Sequence, residues 1–356
     1  MNNIRRCSLL LLFIVASAKA VFAQADSSTT IPTCVSCICS KDATPAGVMI
    51  SHTHSKGEWM ASYRYMGMAS KGIQQNGTNI SNEQVYNQYL MSSDKMQMSM
   101  HMLMAMYGLS NKLTLMAMFE YRSSFMNMNA PEGSGHVHMM NGVMMGGEQM
   151  HDMKTSGLGD ISVTGLYSII NSANHHLLFS GGLSIPTGSV GIMGDANSMY
   201  PNTRFPYMMQ NGSGTWDLLP GLTYTYQQNK YMASTQVYST IRTGYNSIGY
   251  KLGNKIAFNN WVAYRWLNWM STSARVEAST AGMIHGKDES LYAYSEPATN
   301  PYNYGGEMVQ ASLGLNFYLL QIHRLGVEAG LPVYQNLNGI QSPMKYTVSL
   351  LYSITF

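Results

Sequence analysis

The sequence predicts an all-β fold, a transmembrane up-and-down antiparallel β-barrel of about 12 strands, and three observations carry that prediction. Segments of roughly ten residues alternate polar with apolar side chains, as a wall with one wet and one lipid-facing side requires. The links between them alternate short with long. Only 11% of residues are charged, while Gly (33) and Tyr (24) are plentiful, and no continuous apolar run of about 20 residues follows the first 23 positions, which excludes a helical membrane protein.

In chain order, Arg5 and Arg6 precede the apolar run 9–16, and Val21 and Ala23 fit a small-residue cleavage site before Gln24. Residues 1–23 therefore read as a secretory signal peptide. Arg5, Arg6 and Lys19 leave with it, which brings the 21 basic residues down to match the 18 acidic ones. A chain without net positive charge is not expected to bind nucleic acid. Residues 24–56 read as a periplasmic tail containing Cys and His, and 57–356 as the barrel.

The first strand is expected near 58–67, where Trp59, Ala61, Tyr63 and Tyr65 alternate with Glu58, Ser62 and Arg64. Further strands follow near 95–107, 112–125, 157–170, 174–185, 215–227, 230–242, 250–266, 269–283, 306–319, 322–332 and 344–356. The last is the clearest: Tyr346, Val348, Leu350, Tyr352, Ile354 and Phe356 share one face, and Lys345, Thr347, Ser349 and Ser353 the other. A terminal aromatic on such a strand resembles the signal read by the barrel assembly machinery.

Short links fall at 108–111, 171–174, 228–229, near 267–268 and around 321. Long ones fall at 68–94, 126–156, 186–214, 243–249, 284–305 and 333–343. Short periplasmic turns and long outer loops put both termini in the periplasm of a bacterial outer membrane, with lipid around the wall. The rival, a soluble sandwich, would leave Leu313, Leu315, Phe317 and Leu319 as a wide apolar belt in water. Trp59, Trp216, Tyr231, Trp261, Trp266 and Trp269 lie near strand ends and suit interfacial girdles. Charges on spanning strands belong in the lumen, which assigns Glu58, Arg64, Glu120, Arg242, Arg275, Glu277 and Glu328 to its field.

Three stretches carry a resemblance. They are Lys56-Gly-Glu-Trp-Met-Ala-Ser-Tyr-Arg-Tyr-Met66 in the first strand, Gly157-Leu-Gly-Asp-Ile161 opening the fourth, and Gly182-Leu-Ser-Ile-Pro-Thr-Gly188 closing the fifth. With the export signal, the chain resembles the outer-membrane transporter-like proteins of the meta-pathway phenol-degradation family. The resemblance spans most of residues 24–356, marks strands and turns, and implies passage of small molecules, including small aromatic or hydrophobic compounds. The Met and His density of this chain departs from that pattern.

Met accounts for 31 of the 356 residues, and seventeen lie between Met91 and Met153. Met96, Met98, Met100, Met102, Met104 and Met106 alternate strictly, so six thioethers share one side of the second strand. Met116 and Met118 share parity with Thr114 and Glu120 and are expected in the lumen. In the second strand, Gln97, Ser99 and His101 occupy the opposite face; if polar residues point inward there, the Met ladder faces lipid.

Thioethers are soft ligands suited to Cu(I) or Ag(I), and imidazoles suit Cu and Zn. The long second loop holds Met126, Met128, His136, His138, Met139, Met140, Met144, Met145, Met150, His151 and Met153. The tail holds Cys34, Cys37 and Cys39, then His52 and His54. Each pattern has a plainer counterpart: Met as apolar filler, the loop as a polar tract, two of the cysteines as a disulfide in an oxidising compartment. The function expected is a transport or channel barrel for a small solute, and the co-occurrence of these clusters adds soft metal ions such as Cu or Ag to the candidate solutes. The alternatives are a metal-sequestering surface barrel and a carrier of small hydrophobic solutes. No G-x-S-x-G elbow, phosphate loop or H-E-x-x-H pair is present, and no enzyme is expected.

Overall fold

A computed structural model describes residues 42–131, 138–140, 143–145, 151–194, 202–320 and 322–356. Twelve antiparallel strands close on themselves: β1 Trp59–Lys71, β2 Lys95–Gly108, β3 Leu113–Met128, β4 in two pieces (His151–Leu158 and Ile161–Asn171), β5 His175–Ile185, β6 Asp217–Gln228, β7 Tyr231–Arg242, β8 Lys255–Leu267, β9 Met270–Ala281, β10 Gly306–Leu319, β11 His323–Leu337 and β12 Met344–Thr355. Each strand pairs with its sequence neighbours, and β12 returns to β1 with Met60 opposite Thr355 and Tyr65 opposite Leu350. Closure leaves no free edge to template aggregation. Phe356 seals the seam: its N–H donates to the Trp59 carbonyl (2.9 Å) and its carbonyl accepts from Trp59 N–H (2.8 Å).

The expected strands are all present, and the differences have local causes. β4 begins earlier than expected, because His151–Leu158 pairs with the upper part of β3 and Ile161–Asn171 with the lower part, on either side of a break at Gly159 and Asp160. β11 runs past Pro332, which faces Gln310 where the register shifts; a bulge tolerates the missing N–H that a regular ladder would not. Tyr250–Lys251 leaves the wall and pairs with His285–Gly286 in a loop.

The outer face carries the expected apolar belt, with Leu313, Val262, Leu331 and Phe179 exposed. Trp59, Trp216, Tyr231, Trp266 and Trp269 are also outside. Trp261 is not: it is buried inside the barrel against Ala43, Val48 and Met232. Its position sits on the inward parity of β8 with Ala257, Asn259 and Ala263, so the pleat overrides the general preference of tryptophan for an interface.

Residues 42–56, expected as part of a periplasmic tail, run inside the barrel. The segment carries Asp42, Ala43, Thr44, Ala46, Val48 and His54 into buried positions. Its backbone is satisfied by the wall: Arg64 donates to the Val48 carbonyl (2.8 Å), Gln236 to the Ile50 carbonyl (2.8 Å), and the His54 N–H to Thr114 Oγ1 (2.8 Å). Gly108 makes room, since a Cβ there would come within 1.9 Å of the Ser55 carbonyl oxygen.

At the opposite, long-loop end, loop residues form apolar clusters of their own, among them Tyr207, Tyr250 and Ile284. The loop after β5 is tied to the wall by Asp160, which accepts from the N–H of Gly188 (2.9 Å), the N–H of Ser213 (2.8 Å) and the Ser213 hydroxyl (2.6 Å). Two of the stretches that carried the family resemblance thus meet. Gly188 also lets the later part of that loop approach, because a Cβ there would lie 2.5 Å from the Cα of Gly212.

Candidate functional site: the lumen and its methionine wall

The inward faces of β1, β2 and β3 place even-numbered residues side by side. Met106 stands between Met60 and Met116, Met104 between Ser62 and Met118, Met102 between Arg64 and Glu120, and Met100 between Met66 and Arg122. Higher up, Met98 stands between Met68 and Ser124, and Met96 between Ser70 and Met126, with Met153 beyond. One sector of the lumen wall is therefore a thioether surface running the length of three strands.

This decides the face of the β2 ladder, which the sequence left open: the condition under which it would face lipid, with Gln97, Ser99 and His101 inward, is not met. Met96, Met102, Met104 and Met106 are buried, while Gln97, His101 and Leu103 are exposed outside. The parity follows from the neighbours: Arg64 on β1 and Glu120 on β3 flank Met102, and the charges must be inside. His101 remains on the outer face because it is partnered there, its Nδ1 2.8 Å from the Tyr63 hydroxyl and its ring 5.2 Å from that of Tyr65.

The wall is packed at both ends. Near the short turns Met60, Met104, Met106 and Met116 cluster with Leu166 and Leu178, and Ile50 of the inner segment seats on them. Near the long loops Met126, Met128, Met153 and Met209 cluster with Phe205. Met116 and Met118, assigned to the lumen from sequence, do face it.

On β9 and β11, the latter two strands from β1 around the ring, lies a polar network. Arg275 is held by Glu328 (2.5 Å from Nη2, 2.8 Å from Nε) and by Glu277 (2.8 Å). Glu328 also accepts the Gly47 N–H at 2.9 Å. Arg324 binds Asp42 at 3.0 Å and the Thr44 carbonyl. Burial opposes the charge of Asp42, but the Arg324 guanidinium, and then His52, hold its carboxyl well below the ordinary carboxylate range. Burial, reinforced by His52, pushes His54 down to about 3, so its ring is neutral near pH 7.

The other sequence-assigned charges fall at different levels. Glu58 accepts the Ser55 N–H (2.7 Å), Glu120 pairs with Arg122 (2.9 Å), and Arg242 pairs with Asp217. His52 and His54 sit inside the barrel mouth, with ring centroids 5.0 Å apart. Cys34, Cys37, Cys39, His136 and Met150 lie outside the described residues, as does the 1–23 signal. His138–Met140 and Val143–Met145 form a short antiparallel pair beyond the wall, so Met139, Met140, Met144 and Met145 share one hairpin, and His151 opens β4.

Sequence reasoning missed Arg324, Asp42 and the buried Asn316 of β10, whose Oδ1 accepts from Arg324 Nε (3.2 Å) and Nη2 (3.1 Å). Arg324 shares parity with Glu328 two rungs along β11 and was open to the same argument. Asp42 had no sequence signal, because nothing local reveals that its segment enters a barrel.

A closed twelve-strand antiparallel barrel with an apolar exterior, a polar and thioether-lined interior and an inner segment has the architecture of an outer-membrane β-barrel. Among solved structures, the chain is similar to an outer membrane channel from Pseudomonas putida F1, with a TM-score of 0.56 and 15% identity over 88% of this chain and 100% of that one. The P. putida toluene transporter TodX matches at a TM-score of 0.42 and 10% identity, over 84% of this chain and 90% of that one. The KdgM porin matches at 0.37 and 10%, over 82% of this chain and 98% of that one. No protein-family model matches the sequence, and no curated protein matches it.

Proposed function

We propose that this protein is a bacterial outer-membrane channel whose solute is a soft cation, Cu(I) or Ag(I), passed along the methionine wall. The observation that carries the reading is the register of β1 to β3, which turns six alternating Met on one strand, with Met60, Met66, Met68, Met116, Met118 and Met126 beside them, into one continuous inward surface. Thioethers bind soft ions weakly and in many equivalent positions, which is what stepwise passage needs. The exposed apolar belt supports a place in outer-membrane lipid.

Protein reconstituted in liposomes should admit Ag(I), and replacing Met102, Met104 and Met106 together by Leu should slow that flux severalfold. Leu keeps volume and apolarity and removes only the sulfur. An unchanged Ag(I) flux would remove the thioethers from the path. Flux of a small aromatic solute, undiminished in the Leu variant and without Ag(I) flux, would instead make the wall an apolar slide for hydrophobic compounds. Tight metal binding with no flux would make the protein a sequestering barrel.

A further inference from the structure

The short-turn mouth contains a second cluster of metal-ligating side chains that is separate from the methionine wall. His52 Nδ1 lies 3.1 Å from Asp42 Oδ2 and 2.9 Å from Ser51 Oγ. Asp42 is itself fixed by Arg324 at 3.0 Å. A carboxylate on one ring nitrogen sets the tautomer with the proton on that side and leaves the lone pair on the other, which is how metal-binding histidines are oriented. Among the described residues, Nε2 of His52 is buried and has no hydrogen-bond partner.

The ring of His54 stands edge-on to it, at 71° with centroids 5.0 Å apart. One ion bound about 2 Å from a nitrogen of each ring can bridge such a pair. Both histidines line a cavity of about 280 Å³ into which Met232 and His176 also project. Imidazoles with a thioether select copper over hard ions, and both nearby carboxylates are already engaged, Asp42 by Arg324 and Glu58, 3.8 Å from His54 Nδ1, by the Ser55 N–H.

We infer that His52 and His54 form a copper site at the inner mouth of the barrel, oriented by Asp42 and completed by a donor from the cavity wall. The site stands on its own geometry and does not require ions to pass through the lumen.

The test uses the full chain folded in detergent micelles, its thiols alkylated with iodoacetamide so that Cys34, Cys37 and Cys39 do not compete. Titration with Cu(II) should give one tight equivalent whose electron paramagnetic resonance spectrum shows splitting from imidazole nitrogens. His52→Gln and His54→Gln should each abolish that splitting, and Asp42→Asn should weaken binding by roughly 10–100-fold, as loss of an orienting partner does. A heat-modifiable gel shift in every variant keeps misfolding apart from loss of the site. Nitrogen splitting that persists in both His variants would place the copper elsewhere and overturn the inference. So would the absence of copper binding in the folded chain, or a preference for Zn(II) over copper.

Discussion

Arg275, Glu328 and Glu277 share one inward patch, and the first two are almost wholly buried. Removing one partner of a buried pair leaves the other charge without compensation, so Glu328→Leu should cost about 3–5 kcal/mol, whereas Arg275→Met with Glu328→Leu should recover most of it. Guanidinium unfolding in micelles, followed by tryptophan fluorescence, would measure both; equal losses in the single and double variants would contradict the pairing. Glu296, in the loop between β9 and β10, is a different case. It is buried, its Oε2 has no partner among the described residues, and burial pushes it up to about 8. The folded state therefore holds a proton that the unfolded chain releases near 4.5, so its contribution to stability is full below that pH and fades as pH rises towards 8. Protease resistance of the outer loops should fall across that window, and Glu296→Gln should flatten the dependence.

At the scale of elements, the inner segment and the β2 ladder answer each other. Ile50 packs on Met60, Met104, Met106 and Met116, and Gly47, Val48 and Thr44 give the wall's charged groups their partners. Seated in this way, residues 42–56 narrow the lumen near the short turns. Deleting them should raise single-channel conductance in planar bilayers; a deletion variant that folds but conducts no better would assign the restriction to the long-loop clusters instead. β2 itself was legible as a strand but not as a face. Both of its sides carry credible lumen residues, Met on one and Gln97, Ser99 and His101 on the other. The decision came from Arg64 and Glu120 on adjoining strands and from Tyr63 supplying His101 with a partner on the outside.

For the whole molecule, closure should make the wall more robust than the loops that cap it. Asp160 joins β4 to the loop after β5 through three hydrogen bonds, and bonds to a charged group are worth about 1.5–3 kcal/mol each. Asp160→Ala should therefore make the described loop residues 186–194 and 202–214 more sensitive to added protease, while the heat-modifiable migration of the barrel stays as in the parent. Loss of that migration would mean that the link supports the wall and not only the loop.

Alternation with period two is local, and it determined the number of strands, their approximate limits and the pairs of residues that share a side. Charges on β1, β3 and β11 also told inside from outside, since lipid does not accept them. Where a strand carried no charge across its span, as in β2 beyond Lys95, or a large aromatic on its inward parity, as at Trp261, the chain alone could not say which side was wet. That depends on register with neighbours far apart in sequence. The entry of residues 42–56 into the lumen was decided only by the tertiary structure, because a segment without periodicity finds its partners, Arg64, Gln236, Arg324 and Glu328, only once the wall has closed around them.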